Sequence, residues 1–135
     1  MFALKKIYAI SFSVLLVIAL LSFGGCKTGR SASPQALLDR YFSSAVRQDY
    51  SDSYNCYYAA YKAKINRAEY IKRRKEDTSI LKEYTILSVS QSGDTAKAKV
   101  LLAFDQAGQA KANPVDVTVT ENMVKENGDW KIKVW

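Results

Sequence analysis

Hydrophobic positions fall into three regimes along this chain. From Ile7 to Leu21 they are nearly continuous. Between residues 34 and 76 they recur every three or four places, the period of a helix with one buried face. After Thr78 they alternate with polar residues, the period of a strand. Within the helical regime, Ser33-Pro34 supplies an N-cap and a proline at the first helical position. Leu37, Leu38, Tyr41, Phe42, Ala45 and Val46 then form one broad apolar face, closed by Arg47-Gln48-Asp49. A second helix is predicted from about Ser51, with Tyr54, Tyr57, Tyr58 and Tyr61 near one side. Asn66-Arg67-Ala68-Glu69 has the form of a capping box and starts a third helix running to about Glu76.

The alternating regime predicts four strands. Ile80 to Gln91 is followed by a turn at Ser92-Gly93-Asp94. Thr95 to Asp105 returns with Ala98, Val100, Leu102 and Phe104 on one face. A polar loop from Gln106 to Asn113 ends at Pro114. Val115, Val117 and Val119 then alternate with Asp116, Thr118 and Thr120. Asn127-Gly128 is a strong hairpin signal, and the last strand, Asp129 to Trp135, alternates Trp130, Ile132 and Val134 with Lys131 and Lys133. Three helices followed by a four-stranded antiparallel meander give an α+β domain with the helices on one face of the sheet.

The N-terminal regime has a different purpose. Lys5 and Lys6, the apolar run and the small-residue end Ser22-Phe23-Gly24-Gly25 are laid out as a secretory signal peptide over residues 1–25. The run is short for a transmembrane helix, which needs about 20 residues; counting Phe23 makes an uncleaved anchor an open alternative. Phe23-Gly24-Gly25-Cys26 resembles the lipobox of bacterial lipoproteins, with Phe23 standing where leucine is usual. The resemblance implies cleavage before Cys26 and attachment of diacylglycerol and an acyl chain to that residue, and more than one chain meets the requirement for stable anchoring. Lys27, which is not aspartate, favours an outer-membrane destination. A disulfide from Cys26 to Cys56 is the alternative reading in an oxidising compartment. Residues 26–33 then read as a lipidated cysteine and a short polar tether, and residues 34–135 as the folded domain.

Composition narrows the chemistry. The 135 residues carry a net charge of +7. Removal of residues 1–25 leaves 18 basic against 13 acidic side chains, a net +5, too mild to imply a nucleic-acid partner without a binding motif. Histidine is absent, which removes Ser-His-Asp and Cys-His relays and any histidine-ligated metal. One cysteine in the body of the domain rules out a structural zinc site. Neither a metal nor a cofactor is expected.

Two stretches, "LLDRYFSSAVRQDYSDSY" (37–54) and "NGDWKIKVW" (127–135), resemble the nuclear transport factor 2-like superfamily. The likeness is to its small exported or lipid-anchored domains of unknown function and to the membrane-proximal N-terminal domain of some penicillin-binding proteins. It implies a strongly bent sheet wrapped around the helices as a cone, often with an internal pocket. Enzymes of that superfamily, such as ketosteroid isomerase and scytalone dehydratase, place acid–base side chains inside the cone. Here the expected inward face reads Ala98, Val100, Leu102, Phe104, Val115, Val117, Val119, Trp130, Ile132 and Val134, none of them ionisable. Asp49 and Asp52 sit at a helix junction, where capping is the commoner role. No catalytic residue is therefore expected.

Tyr54, Tyr58, Tyr61, Phe104 and Trp130 are the candidates for an aromatic-lined ligand pocket; the competing reading packs the rings under the sheet with their hydroxyls on water or backbone. Lys72-Arg73-Arg74-Lys75 encircles its helix and reads as a solvated end, with a contact to anionic lipid as the sharper alternative. The expectation is a lipid-anchored, non-catalytic binding or scaffolding module of the cell envelope, facing the periplasm or extracytoplasmic space. Its partners would be the membrane and an envelope protein or a second copy. A carrier of a small hydrophobic ligand is the alternative, and a lyase or isomerase the third.

Overall fold

The computed structural model describes residues 30–106 and 114–134. The expected signal peptide, Cys26 and Trp135 lie outside the described residues. Helix α1 (Pro34–Val46) begins as the sequence predicts: Ser33 is extended and its Oγ accepts a hydrogen bond from the Ala36 amide at 3.1 Å. Its apolar stripe buries Leu37, Leu38, Phe42 and Ala45. Gln48, at φ 59°, turns the chain, and Asp49 caps α2 (Tyr50–Asn55) by accepting from the Asp52 amide.

The second predicted helix is divided. It stops at Cys56, and α3 (Ala59–Lys64) starts afresh after Tyr58. The reason is tertiary. The Ile132 amide donates to the Cys56 carbonyl at 2.8 Å, and the Tyr58 amide donates to the Ile132 carbonyl at 3.0 Å, so the chain extends here to pair with a strand. Those two bonds are unavailable to a continuous helix. Asn66 then caps α4 (Arg67–Glu76), accepting from the Glu69 amide at 2.9 Å. The described residues form four helices where the hydrophobic period suggests three, and the α+β order is otherwise as read.

Strands β1 (Ser79–Ser92), β2 (Thr95–Gln106), β3 (Val115–Glu126) and β4 (Asp129–Lys133) form one antiparallel meander in sequence order. The β3–β4 turn places Asn127 at φ 51° and Gly128 at φ 80°, the paired left-handed conformations of a type I′ hairpin. Register shifts between Leu81 and Glu83 and between Ile86 and Ser88 interrupt β1, and bulges of this kind increase local twist and bend a strand. The concave face brings Leu81, Ala98, Val100, Leu102, Met123, Trp130 and Ile132 against α1 and against Tyr54, Tyr57 and Tyr70. Among the described residues no helix is long and apolar enough to cross a membrane.

The sheet outruns the helices at one end. Val115 and Val117 pair with Phe104 and Leu102 and so belong to the concave face, yet they are 44% and 41% exposed. None of the described helices covers the sheet there. That uncovered end is the mouth of a pocket.

Candidate ligand pocket

The pocket encloses about 370 Å³ between α1, the end of α4 and the concave ends of β1, β2 and β3. Phe42, Leu81, Leu102, Phe104, Val115 and Val117 give it apolar walls, and Tyr41, Arg74, Asp77, Ser79 and Glu121 bring polar groups to it. A mostly apolar cleft with a few convergent polar groups is the usual construction of a small-molecule site, and ~300 Å³ is the lower end of the usual size.

Glu121 is the unexpected member. Pairing of Glu121 with Ala98, and of Met123 with Ala96, places it on the same side of β3 as the valines. The expectation of an inward face without ionisable groups is therefore wrong. The alternation legible from Val115 to Val119 needs one further step to reach it. Burial among apolar neighbours pushes its carboxyl up to about 7, and no residue among those described forms a hydrogen bond with it. A carboxyl of this kind is divided between its neutral and charged forms near neutral pH.

Tyr41 links Glu121 to a tyrosine cluster. As a residue Tyr41 is partly exposed, but its hydroxyl lies inside, 2.5 Å from the Tyr57 hydroxyl. Burial raises both phenols far above the ordinary value, so both stay neutral donors at any physiological pH. Tyr57 packs edge-on against Tyr41 and Tyr70 and is stacked on Tyr61 at 4.3 Å. The Tyr70 hydroxyl meets Ser53 Oγ at 3.1 Å in the buried interior.

Arg74 closes the other side. It stands four residues after the buried Tyr70 and so shares its helix face. One member of the basic run 72–75 thus turns inward, where the run as a whole reads as solvated. Its Nη1 donates to Asp77 Oδ2 at 3.3 Å and its guanidinium lies 5.7 Å from the Tyr50 ring centre, while its Nε is buried with no hydrogen-bond partner among the described residues. Burial works against the Arg74 charge. The Asp77 carboxylate favours it, and the guanidinium stays protonated.

Of the five pocket candidates read from the sequence, Phe104 lines this pocket and the other four do not. The Tyr54 hydroxyl donates to the Ile65 carbonyl at 2.8 Å and the Tyr58 hydroxyl to the Val134 carbonyl at 2.7 Å. Tyr61 stacks on Tyr57, and Trp130 is 2% exposed in the core. Their spacing along the helical region identifies the tyrosine side, but the break at Tyr58 turns its two halves to different work. The aspartates weighed as acids are committed elsewhere. Asp49 caps α2 and Asp52 pairs with Arg40 at 2.5 Å. Cys56 is buried and forms no disulfide among the described residues, its thiol pushed up to about 11 by burial, and Cys26 lies outside them. No group of three or more metal-ligating side chains occurs among the described residues.

The fold has solved counterparts. A SEC-C motif protein from Rhodopseudomonas palustris matches with a TM-score of 0.63 at 14% identity, over 76% of this chain and 77% of that one. A second SEC-C motif protein, from Psychrobacter arcticus, matches with a TM-score of 0.59 at 14% identity, over 76% of this chain and 59% of its own length. A protein described as a nuclear transport factor 2-like transpeptidase, from Campylobacter jejuni, matches with a TM-score of 0.48 at 16% identity, over 74% of this chain and 97% of that one. At these identities the likeness is one of fold. No protein-family profile and no curated protein matches the chain.

Proposed function

We propose that this chain is a binding module held at the bacterial cell envelope by a lipid on Cys26, and that its cone takes a small amphipathic anion. The observation that carries the reading is the buried Nε–H of Arg74, which has no hydrogen-bond partner among the described residues and stands beside an apolar pocket. A buried donor left unsatisfied costs roughly 1–3 kcal/mol, and an acceptor oxygen on a ligand recovers it. A carboxylate or similar oxyanion fits the guanidinium, while the ligand's apolar body fits Leu102, Phe104, Val115 and Val117. The Cys26 anchor and the extracytoplasmic location rest on the lipobox resemblance. A tether there confines the domain to the membrane surface and raises its effective concentration towards an envelope protein or a second copy.

Binding is tested with 1-anilinonaphthalene-8-sulfonate, an aromatic anion of the proposed type. A single saturable site is expected, weakened tenfold or more in Arg74→Gln. Unsaturable binding, or binding indifferent to that substitution, contradicts the reading. One observation favours a second reading, a lyase or isomerase: Glu121 has the pKa near 7 that suits a general acid or base at neutral pH. The readings separate if Glu121→Gln abolishes a turnover without weakening dye binding.

A further inference from the structure

On the outer face of the sheet, charge is arranged in bands. Directly paired residues point to the same side, so Ser90, Lys97, Asn122 and Lys133 form one row across all four strands, with Ser88, Lys99 and Thr120 in the next. These two rows hold three lysines, hydroxyls and an amide, and no carboxylate. The carboxylates of this face stand outside them, with Glu83 and Asp116 in one direction and Glu126 and Asp129 in the other. Other lysines have partners, Lys82 with Asp105 and Lys131 with Asp129. Lys97, Lys99 and Lys133 form no ion pair among the described residues, and Lys97 and Lys133 border a shallow groove of about 520 Å³. Strand spacing puts Lys97 and Lys133 roughly 10 Å apart, and Lys97 and Lys99 about 7 Å apart.

The chain enters the domain at this face's β4 edge. The Ser31 carbonyl accepts from the Trp130 amide at 3.2 Å, and the Ser31 amide donates to Asp129 Oδ1 at 2.5 Å. Cys26 precedes Ser31 by five residues, a reach of at most about 18 Å. A lipid on Cys26 therefore keeps the edge strand that carries Lys133 close to the bilayer surface.

We propose that the outer sheet face around Lys97, Lys99 and Lys133 docks on the anionic phospholipid headgroups of the membrane that holds the Cys26 anchor, an inference that rests on the anchoring in the reading above. Each lysine near such a surface contributes roughly fivefold, so three bias a tethered domain towards one orientation by on the order of a hundredfold. That is enough to orient the domain and too little to hold it unaided. Docking by the outer face leaves the concave face, with the Arg74–Glu121 pocket, open to the extracytoplasmic side.

The test uses the full-length protein extracted from bacterial membranes and reconstituted into vesicles of phosphatidylcholine, with and without phosphatidylglycerol. Flotation reads the anchor, and brief lysine acetylation followed by mass spectrometry reads the docked face. Expected are flotation with both vesicles and severalfold slower labelling of Lys97, Lys99 and Lys133 only where phosphatidylglycerol is present. Lys72 and Lys75 on α4 are expected to keep one rate, and high salt to abolish the protection. Flotation with equal labelling on both vesicles overturns the docking and leaves the anchor standing. Failure to float with neutral vesicles overturns the anchor, and the docking with it.

Discussion

Glu121 ties the stability of this domain to pH. Its carboxyl is raised from 4.5 to about 7 by burial, so across that interval the native state holds a proton that the unfolded state has lost. Stability then falls as pH rises from about 4.5 to about 7 and is flat above. The upper limit is roughly 3 kcal/mol, reduced by water at the pocket mouth. Glu121→Gln is expected to raise the midpoint of thermal unfolding at pH 8 and to remove the slope, as checked by melts at a series of pH values. An unchanged slope in the variant would place the titration elsewhere. The same residue governs the anion: ionised Glu121 opposes a negative ligand, so dye affinity is expected to fall above pH 7 in the wild type and to hold in the variant. Of the two polar groups that define the site, Glu121 was within reach of the alternation that marks Val115, Val117 and Val119. Arg74 was hidden among four consecutive basic residues, where charge outweighs the four-residue spacing from Tyr70.

The elements follow local signals until a tertiary contact overrides them. Ser33-Pro34, the Asn66 cap and Asn127-Gly128 each mark a boundary that the structure keeps, because each satisfies its backbone groups within a few residues. The interruption at Cys56–Tyr58 has no local signal. Its backbone bonds are to Ile132, more than seventy positions away, and tyrosines at helical spacing conceal it. In the same way the sequence distinguishes the two sides of the sheet and cannot say where the helices stop covering it, which is why Val115 and Val117 read as core and stand at a pocket mouth. Native-state hydrogen exchange examines the interruption. The amides of Tyr58 and Ile132 are expected to show the protection of core strands. Exchange of both at the rate of frayed helix ends would contradict the pairing between the extended segment and β4.

At the scale of the whole molecule the two faces of the sheet do different work. The concave face buries the core and opens into the Arg74–Glu121 pocket, while the outer face presents Lys97, Lys99 and Lys133 beside the point where the chain enters. On the proposed function, both faces belong to a lipid-anchored module that offers a small anion site on the side away from the membrane. Native mass spectrometry of the full-length protein, extracted gently from membranes of a producing bacterium, tests this most directly. The predicted result is the mass of residues 26–135 with diacylglycerol and an acyl chain, accompanied by a non-covalent adduct of an amphipathic anion that Arg74→Gln loses. A mass of unprocessed residues 1–135, or an adduct that persists in Arg74→Gln, would contradict the anchor in the first case and the pocket assignment in the second.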